Sequence, residues 1–461
     1  MRFASIVSER TYQASRMGMG AVMGSKMLKA VVLRGEGRPP AFDQPAIDRL
    51  TAGFDRRMAG NDLSRWQRDA PGFSCWIYLH GIDAALCVNN YRKSTFDGLS
   101  AFKEEQFLAR PITELGCPGC PNRCIKAIHP LDAHDLDPRA SGIHQEVTGA
   151  LGPNIGVEDL DVVLRANNLC NQLGMDPTSL GFTVSFAMEL FERGILTAES
   201  DQGRTPRFGD GRGALDLIER IALRQGLGNI LAEGTRLAAR AIGGDAMRYA
   251  MHVKGLEMTC FEPRSQTNLA LGFATAPVGP RYDICEHDWD FDTKVGWPHT
   301  LELSRTVGIL ERIPMGYLGP DKVRNFKALY TLWSAADALD LCIFAIAPTR
   351  LLSLDEMAEM VHASTGWRTS SYEVMRIGER RAHLMRWYNL REGLAAEQDT
   401  LPERFFEEPI AEGPRAGDVI DRDAFHRAVR TFYEMMGWDK TGRPRDAVLY
   451  DHGLEWVMKA K

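Results

Sequence analysis

The sequence predicts a mainly α-helical protein preceded by a short β-containing segment, and three observations carry that expectation. Apolar residues recur at roughly i, i+3, i+4 in segment after segment from about residue 44 to the end. Only one clear β-type run stands out, near the front. The 461 residues are 44% apolar and 25% charged, which gives a folded chain with real cores and enough length for two or three domains.

Taken in order, Arg2-Phe3-Ala4-Ser5-Ile6-Val7 follows Met1 without a polar lead-in, as though the chain began inside a folded element. A glycine-rich turn, Arg16 to Lys26 with Gly18, Gly20 and Gly24, leads into Leu28-Lys29-Ala30-Val31-Val32-Leu33, an edge strand closed by Gly35 and Pro39-Pro40. Helices are expected at 47–58, 158–173, 179–194, 214–225 and 229–241, with Gly174, Gly194, Gly226 and Gly243 at or just past their ends. Further helices are expected at 301–310, 322–336, 354–364 and 371–393, and a final one from an Asp421 cap to Gly437. Residues 408–414 read as a surface connection within the last domain.

The charge sum of 55 basic against 61 acidic residues leaves no global basic field to gather nucleic acid. The apolar run Leu341–Ala347 is far short of the ~20 residues that span a bilayer, and no signal-peptide core opens the chain. These features point to a soluble, cytoplasmic protein.

Nine cysteines, an odd number unevenly spread, do not make a disulfide framework. Cys117-Pro-Gly-Cys120-Pro-Asn-Arg-Cys124 crowds three into eight residues. Thiolates at this C-x2-C-x3-C spacing on a tight turn suit three corners of an iron–sulfur cube, with prolines fixing φ and amides left to face the sulfurs. The radical-type motif has the reverse order, and no fourth cysteine follows at ferredoxin spacing. A structural zinc site with a remote fourth ligand, or plain buried cysteines, are the rival readings. Cys170, Cys260, Cys285 and Cys342 are the remote candidates. Cys170 lies mid-helix in an amphipathic pattern and reads as core, while Cys342, after Asp337-Ala-Leu-Asp340-Leu341, is the favoured fourth ligand.

Together with these cysteines, the order and spacing of other motifs make the chain resemble the aldehyde ferredoxin oxidoreductase family over essentially its whole length. They are Gly20 to Lys26, Gly149 to Gly156, Leu173-Gly-Met-Asp176, His252-Val-Lys-Gly-Leu-Glu257, Glu262-Pro-Arg264, Asp337 to Cys342, Gly437-Trp-Asp439 and Gly442-Arg-Pro444. The resemblance implies a tungsten or molybdenum bis-pterin held by dithiolene sulfurs, beside a [4Fe-4S] cluster on Cys117, Cys120, Cys124 and Cys342. It implies cofactor contacts at Arg16, Gly18 and Gly20, at Asn171, Gly174 and Met175, and at Asp337, Asp340 and Leu341. Asn171 stands where the family usually has Asp; an amide still accepts a hydrogen bond but brings no charge.

The resemblance also implies that Glu146 is the active-site carboxylate. His287 with Glu286 is the candidate proton relay, with His252 as an alternative. The implied reaction is oxidation of a small aldehyde to its acid, or the reverse, with electrons leaving to ferredoxin or an iron–sulfur subunit, in a homo- or hetero-oligomer. A low-potential reductase of aromatic thioesters and a non-catalytic iron–sulfur protein are the alternatives. The implied organisation is 1–43 as the last part of a β-rich pterin-binding domain, 44–264 as a helical domain with three cluster cysteines, and 265–461 as a helical domain with the fourth. Most of the family's N-terminal domain is then expected to be missing, through a separate chain, a misplaced gene start or a real loss.

Overall fold

The computed structural model describes residues 1–37, 39–281, 284, 287–294 and 296–459. Helices carry the fold, as the periodicity predicts, and the named strands lie in three small antiparallel sheets. Ile6–Ser8 pairs with Tyr12–Ala14, Lys126–Ile128 lies between Ile112–Glu114 and Gly142–Ile143, and His252–Val253 pairs with Leu256–Glu257. Among the described residues no helix is long and apolar enough to cross a membrane.

The helix Pro177–Glu192 is buried on nearly every side, so apolar residues surround it instead of forming one stripe. Asp176 caps its start by accepting from the Thr178 amide, and Leu160–Leu173 before it ends on Gly174 at φ 65°. Farther along, Pro320–Ala338 packs against Ser371–Arg391. Gly378 permits that approach, because a Cβ there would lie 2.0 Å from the Thr331 carbonyl oxygen. One hydrophobic core runs from Phe3 to Trp438, with a small separate cluster of Leu449, Leu454 and Val457. Buried ion pairs tie distant segments together: Arg404 to Glu189 at 2.7 Å, and Lys254 and Arg386 to Asp399 at 2.7 Å each.

Several expected elements differ. The glycine-rich turn is in large part a helix, Met19–Ser25. Its glycines disfavour helix by about 1 kcal/mol each, but Gly20 lets it lie on the backbone of residues 4 and 5. The run after it forms no strand: Val31, Val32 and Leu33 are 66%, 88% and 91% exposed, and no named strand lies beside them to complete a ladder. The 229–241 segment is two helices, Leu227–Leu231 and Thr235–Ile242, parted at Gly234, where φ is 79°. The 301–310 helix closes early, as Pro298–Ser304 and a single 3-10 turn. Asp446–Asp451 follows the helix expected to be last.

Burial of histidines makes the fold sensitive to acid. It pushes His80 and His252 down to about 4, Arg236 and Arg240 adding to it for His252. Burial, with His452, Lys327 and Arg376, pushes His383 down to about 3, and the unprotonated His383 Nδ1 accepts from Trp438 Nε1 at 2.9 Å. All three lie below the ordinary value of 6.5, so the unfolded chain takes up protons first as pH falls. Their contribution to stability is complete above about pH 6.5 and is lost toward pH 4. Urea denaturation followed by tryptophan fluorescence is expected to give a midpoint steady from pH 8 to 7 that falls progressively below 6.5.

Candidate functional site

The Cys117–Cys124 loop joins the strands Ile112–Glu114 and Lys126–Ile128. Gly119 at φ 75° and Arg123 at φ 44° turn it tightly, and the Cys120 amide donates to the Cys117 carbonyl at 3.0 Å. The fully buried Lys126 ammonium fixes its far end through the carbonyls of Arg68 and Arg123 at 2.6 and 2.7 Å and the Glu114 carboxylate at 2.7 Å. Cys342 arrives from the end of Pro320–Ala338, where Asp340 adopts φ 56° and the Leu341 amide donates back to the Ala336 carbonyl. Gln67 and Asn122 side-chain amides both donate to the Phe344 carbonyl, at 3.1 and 3.4 Å, and so tie the Cys342 loop to the three-cysteine loop.

The four thiols feel one another electrostatically. Burial pushes Cys124 up to about 12, with Cys342, Cys120 and Cys117 adding to it. Cys342 is raised by burial, and by Cys120 and Cys117, while the Phe344 amide donating to it acts in the opposite sense. Such thiols resist ionising together unless a cationic group joins them. A single zinc ion with Zn–S bonds of ~2.3 Å would draw its sulfurs to within ~4 Å of each other. Among the described residues no three His, Cys, Asp or Glu groups come together in a way that could hold one metal ion. Four thiols gathered at one place are the soft donor set that an iron–sulfur group takes, and zinc takes the same set. Of the other remote cysteines, Cys170 and Cys260 are buried in the core, and Cys285 lies outside the described residues.

The residues expected to touch a pterin divide. Arg16 fits an anionic group: one guanidinium nitrogen donates to the carbonyls of Glu257 and Pro280, while buried Nε and Nη1 have no partner among the described residues. Next along the chain from Pro280, Arg281 lies 3.6 Å from the Asp337 carboxylate, which Arg381 also approaches at 3.0 Å. Gly18 and Gly20 instead make room for the chain itself. A Cβ on either would fall 2.4 Å from a carbonyl oxygen, of Arg2 and Ser5 respectively. Asp340 is exposed, and Leu341 packs against the core.

The 171–176 segment has a structural task beside the expected cofactor contact. Met175 is fully buried and bridges to Ala4, the Gly174 carbonyl accepts from the Ser5 amide, and the Asp176 amide donates to Phe3. The Asn171 amide nitrogen donates to the carbonyls of Ala140 and Gly142 at 2.8 and 3.3 Å, and its oxygen accepts from Gln13. A carboxylate could donate to neither carbonyl, so the departure from Asp at this position has a reason in the fold. Asn171→Asp is expected to destabilise the protein by roughly 3 kcal/mol, more than Asn171→Ala, as measured by urea denaturation. A residue serving only a pterin would instead change cofactor content and leave stability alone.

Glu146 lies in the first turn of Gln145–Leu151 and is 6% exposed. Cys260 Sγ lies 3.4 Å from its carboxylate Oε2. Phe261, the next residue, meets the rings of His287 and His80 edge-on, at centroid distances of 4.5 and 4.8 Å. One short segment therefore links both candidate proton-handling residues. Burial, with His80 and Arg350 adding to it, holds His287 well below its ordinary value, so it acts as a neutral imidazole. Its expected partner Glu286 lies outside the described residues. His252 sits in the hairpin that turns at Lys254 and Gly255, as a structural position.

His287, His80, Gln145 and Arg350 open onto a cleft walled by Trp66, Trp76, Trp289, Trp297 and Trp333, with Ile343 and Phe344 completing it. Trp66 and Trp76 stack at 4.6 Å, and the Arg350 guanidinium lies 5.7 and 5.8 Å from the Trp76 and Phe344 ring centres. Sequence reasoning missed this wall. Its tryptophans come from segments as far apart as 66 and 333 with no shared spacing, and the one local signal was the sequence adjacency of Phe344 to Cys342.

The family model described as aldehyde ferredoxin oxidoreductase, domains 2 and 3, matches residues 57–454, and that of the N-terminal domain matches residues 1–35. The chain is 30% identical over 467 residues to a tungsten-containing aldehyde ferredoxin oxidoreductase of Pyrococcus horikoshii, covering 99% of this chain and 72% of the relative. It is 27% identical to the WOR-like subunit of an aliphatic sulfonate oxidoreductase of Pyrococcus furiosus, over 98% of this chain and 68% of that one. In fold it resembles a solved active-site complex, BamBC of benzoyl-coenzyme A reductase with 1,5-dienoyl-CoA. The TM-score is 0.77 at 22% identity, over 99% of this chain and 72% of the other.

Proposed function

The chain belongs to the aldehyde ferredoxin oxidoreductase family of oxidoreductases, and on that premise we propose that it oxidises an aldehyde to the carboxylic acid in the cytoplasm. Aldehyde and water give acid, two protons and two electrons. A tungsten or molybdenum bis-pterin, when bound, would supply the two-electron acceptor, and Cys117, Cys120, Cys124 and Cys342 would hold a [4Fe-4S] cluster, which would supply one-electron transfer toward ferredoxin.

The observation that carries this reading is the junction at residues 342–344. Cys342 belongs to the four-cysteine group, and Ile343 and Phe344 line the tryptophan cleft, so substrate binding and electron exit lie on one loop. The residues divide the remaining work. The cleft's aromatic walls exclude water and favour a flat substrate, most of all an aryl aldehyde, whose ring stacks on tryptophan. Glu146, buried and next in sequence to the cleft-lining Gln145, takes the proton released as the water oxygen joins the carbonyl carbon. Neutral His287 orients the carbonyl by hydrogen bonding and brings no competing positive charge. Arg16 holds an anionic arm of the cofactor through its unpartnered nitrogens.

The aromatic cleft also favours a second reading, reduction of an aromatic acyl thioester by a low-potential donor as part of a larger complex. Metal analysis of anaerobically purified protein, with ferredoxin reduction assayed on benzaldehyde and acetaldehyde, tests both. Tungsten or molybdenum with about four irons, and faster turnover of benzaldehyde, is the expected result. Metals without aldehyde oxidation, but with thioester reduction, selects the second reading. Iron alone leaves only an electron carrier, and zinc alone overturns both.

A further inference from the structure

The segment Thr259-Cys260-Phe261 is held more tightly than a wall needs to be. The Tyr91 hydroxyl, fully buried, lies between the Thr259 and Phe261 carbonyl oxygens and donates to them, at 3.1 Å for Phe261. The Cys87 amide donates to the Cys260 carbonyl at 3.0 Å, and the Glu262 amide to the Ala85 carbonyl at 3.0 Å. Both peptide neighbours of Cys260 are thereby fixed. Across from it, a Cβ on Gly149 would fall 2.7 Å from Cys260 Sγ, so the helix that carries Glu146 closes directly onto the sulfur. The thiol lies 3.4 Å from Glu146 Oε2 and 3.7 Å from the Glu146 carbonyl oxygen, both acceptors within reach of its proton.

We propose that Cys260 is the positioning residue of the active site: its thiol donates to the Glu146 carboxylate and holds that carboxylate in its working orientation. This deepens the function proposed above and rests on Glu146 being the proton-handling group. Cysteine suits the task. It is small enough for the contact with Gly149, it gives a weak donor that leaves the carboxylate basic, and burial raises its own thiol so far that it stays protonated as a donor. The chemistry requires no change in the sulfur.

The surrounding groups make the pH consequence definite. Cys260 and Tyr91 lie in electrostatic reach of Glu146, with Cys87 close to both and Glu262 close to Tyr91. Arg264, the nearby cation, is bound to Glu262 by two guanidinium nitrogens at 2.7 and 2.8 Å. The Cys260 thiol, donating to Oε2, is one donor that favours the ionised carboxylate. Removing it moves the acid limb of the kcat/KM profile to higher pH.

Two measurements test this, one independent of turnover. Infrared difference spectra of wild type minus Cys260→Ala isolate the S–H stretch of Cys260. It is expected as a low-frequency, hydrogen-bonded band that shifts in Glu146→Gln and is unmoved in Cys170→Ser; a free-thiol band, unmoved by Glu146→Gln, overturns the proposal. In the metal-loaded enzyme, Cys260→Ala is expected to lower kcat/KM roughly tenfold with the acid limb raised. Cys260→Ser, which keeps a donor, should recover most of that loss; equal losses in the two variants with an unmoved limb mean packing alone and overturn it. If wild type carries the shifted band but oxidises no aldehyde, the contact stands and the functional reading fails. If Glu146→Gln retains full turnover, the positioning role falls with it.

Discussion

Cys342→Ala is expected to abolish the broad visible absorbance of the purified protein and to lower iron from about four atoms per chain to one or fewer. If the proposed cluster is held as assigned, the effect is large because no other cysteine among the described residues joins this group of four. Cys170 and Cys260 are fully buried in the core, away from the loop that gathers Cys117, Cys120 and Cys124. The Phe344 amide is already aimed at the Cys342 sulfur, and the loop is tied down through Gln67 and Asn122. Arg350 donates to Gln67 Oε1 at 3.1 Å and braces that tie in turn. Cys170→Ala, which removes a core sulfur, should leave the spectrum as it was. An unchanged spectrum in Cys342→Ala would assign the fourth ligand elsewhere.

Glu146→Gln is expected to lower kcat by about 10²–10⁴-fold while iron and tungsten or molybdenum stay at wild-type levels. Glutamine keeps the shape of the side chain and an oxygen that accepts from the Cys260 thiol, but it cannot take a proton. A stable, fully loaded and nearly inactive protein separates proton handling from cofactor binding. Turnover at the wild-type rate would remove Glu146 from the mechanism.

Much of the helical skeleton was legible, because apolar periodicity and caps such as Asp421 and Gly174 act locally. The three-cysteine loop was legible for the same reason: its spacing and its prolines lie within eight residues. Where the reading failed, long-range contacts decide the outcome. Val31 to Leu33 has strand chemistry, yet a strand needs a neighbour's hydrogen bonds, which the run's own residues cannot supply. Met19–Ser25 reads as a turn from its glycines, and only the backbone of residues 4 and 5 lying against it explains Gly20. Asn171 looked like a weakened cofactor contact until the Ala140 and Gly142 carbonyls gave it partners that only an amide can serve. The tryptophan wall and the Cys260–Glu146 contact join residues more than a hundred positions apart, and no periodicity encodes such pairs.

The unbroken core has a consequence for how the molecule comes apart. Glu189 and Lys254 lie before residue 264, their partners Arg404 and Asp399 after it, and all four side chains are almost wholly buried. Either half alone would face water with a severed apolar surface and with charges whose partners are gone, a loss that typically reaches ~3–5 kcal/mol per broken pair. Calorimetry should therefore record one cooperative transition spanning both halves, and limited proteolysis should yield no fragment that persists by itself. The chain would melt as a single unit, whatever the number of domains its order of elements suggests.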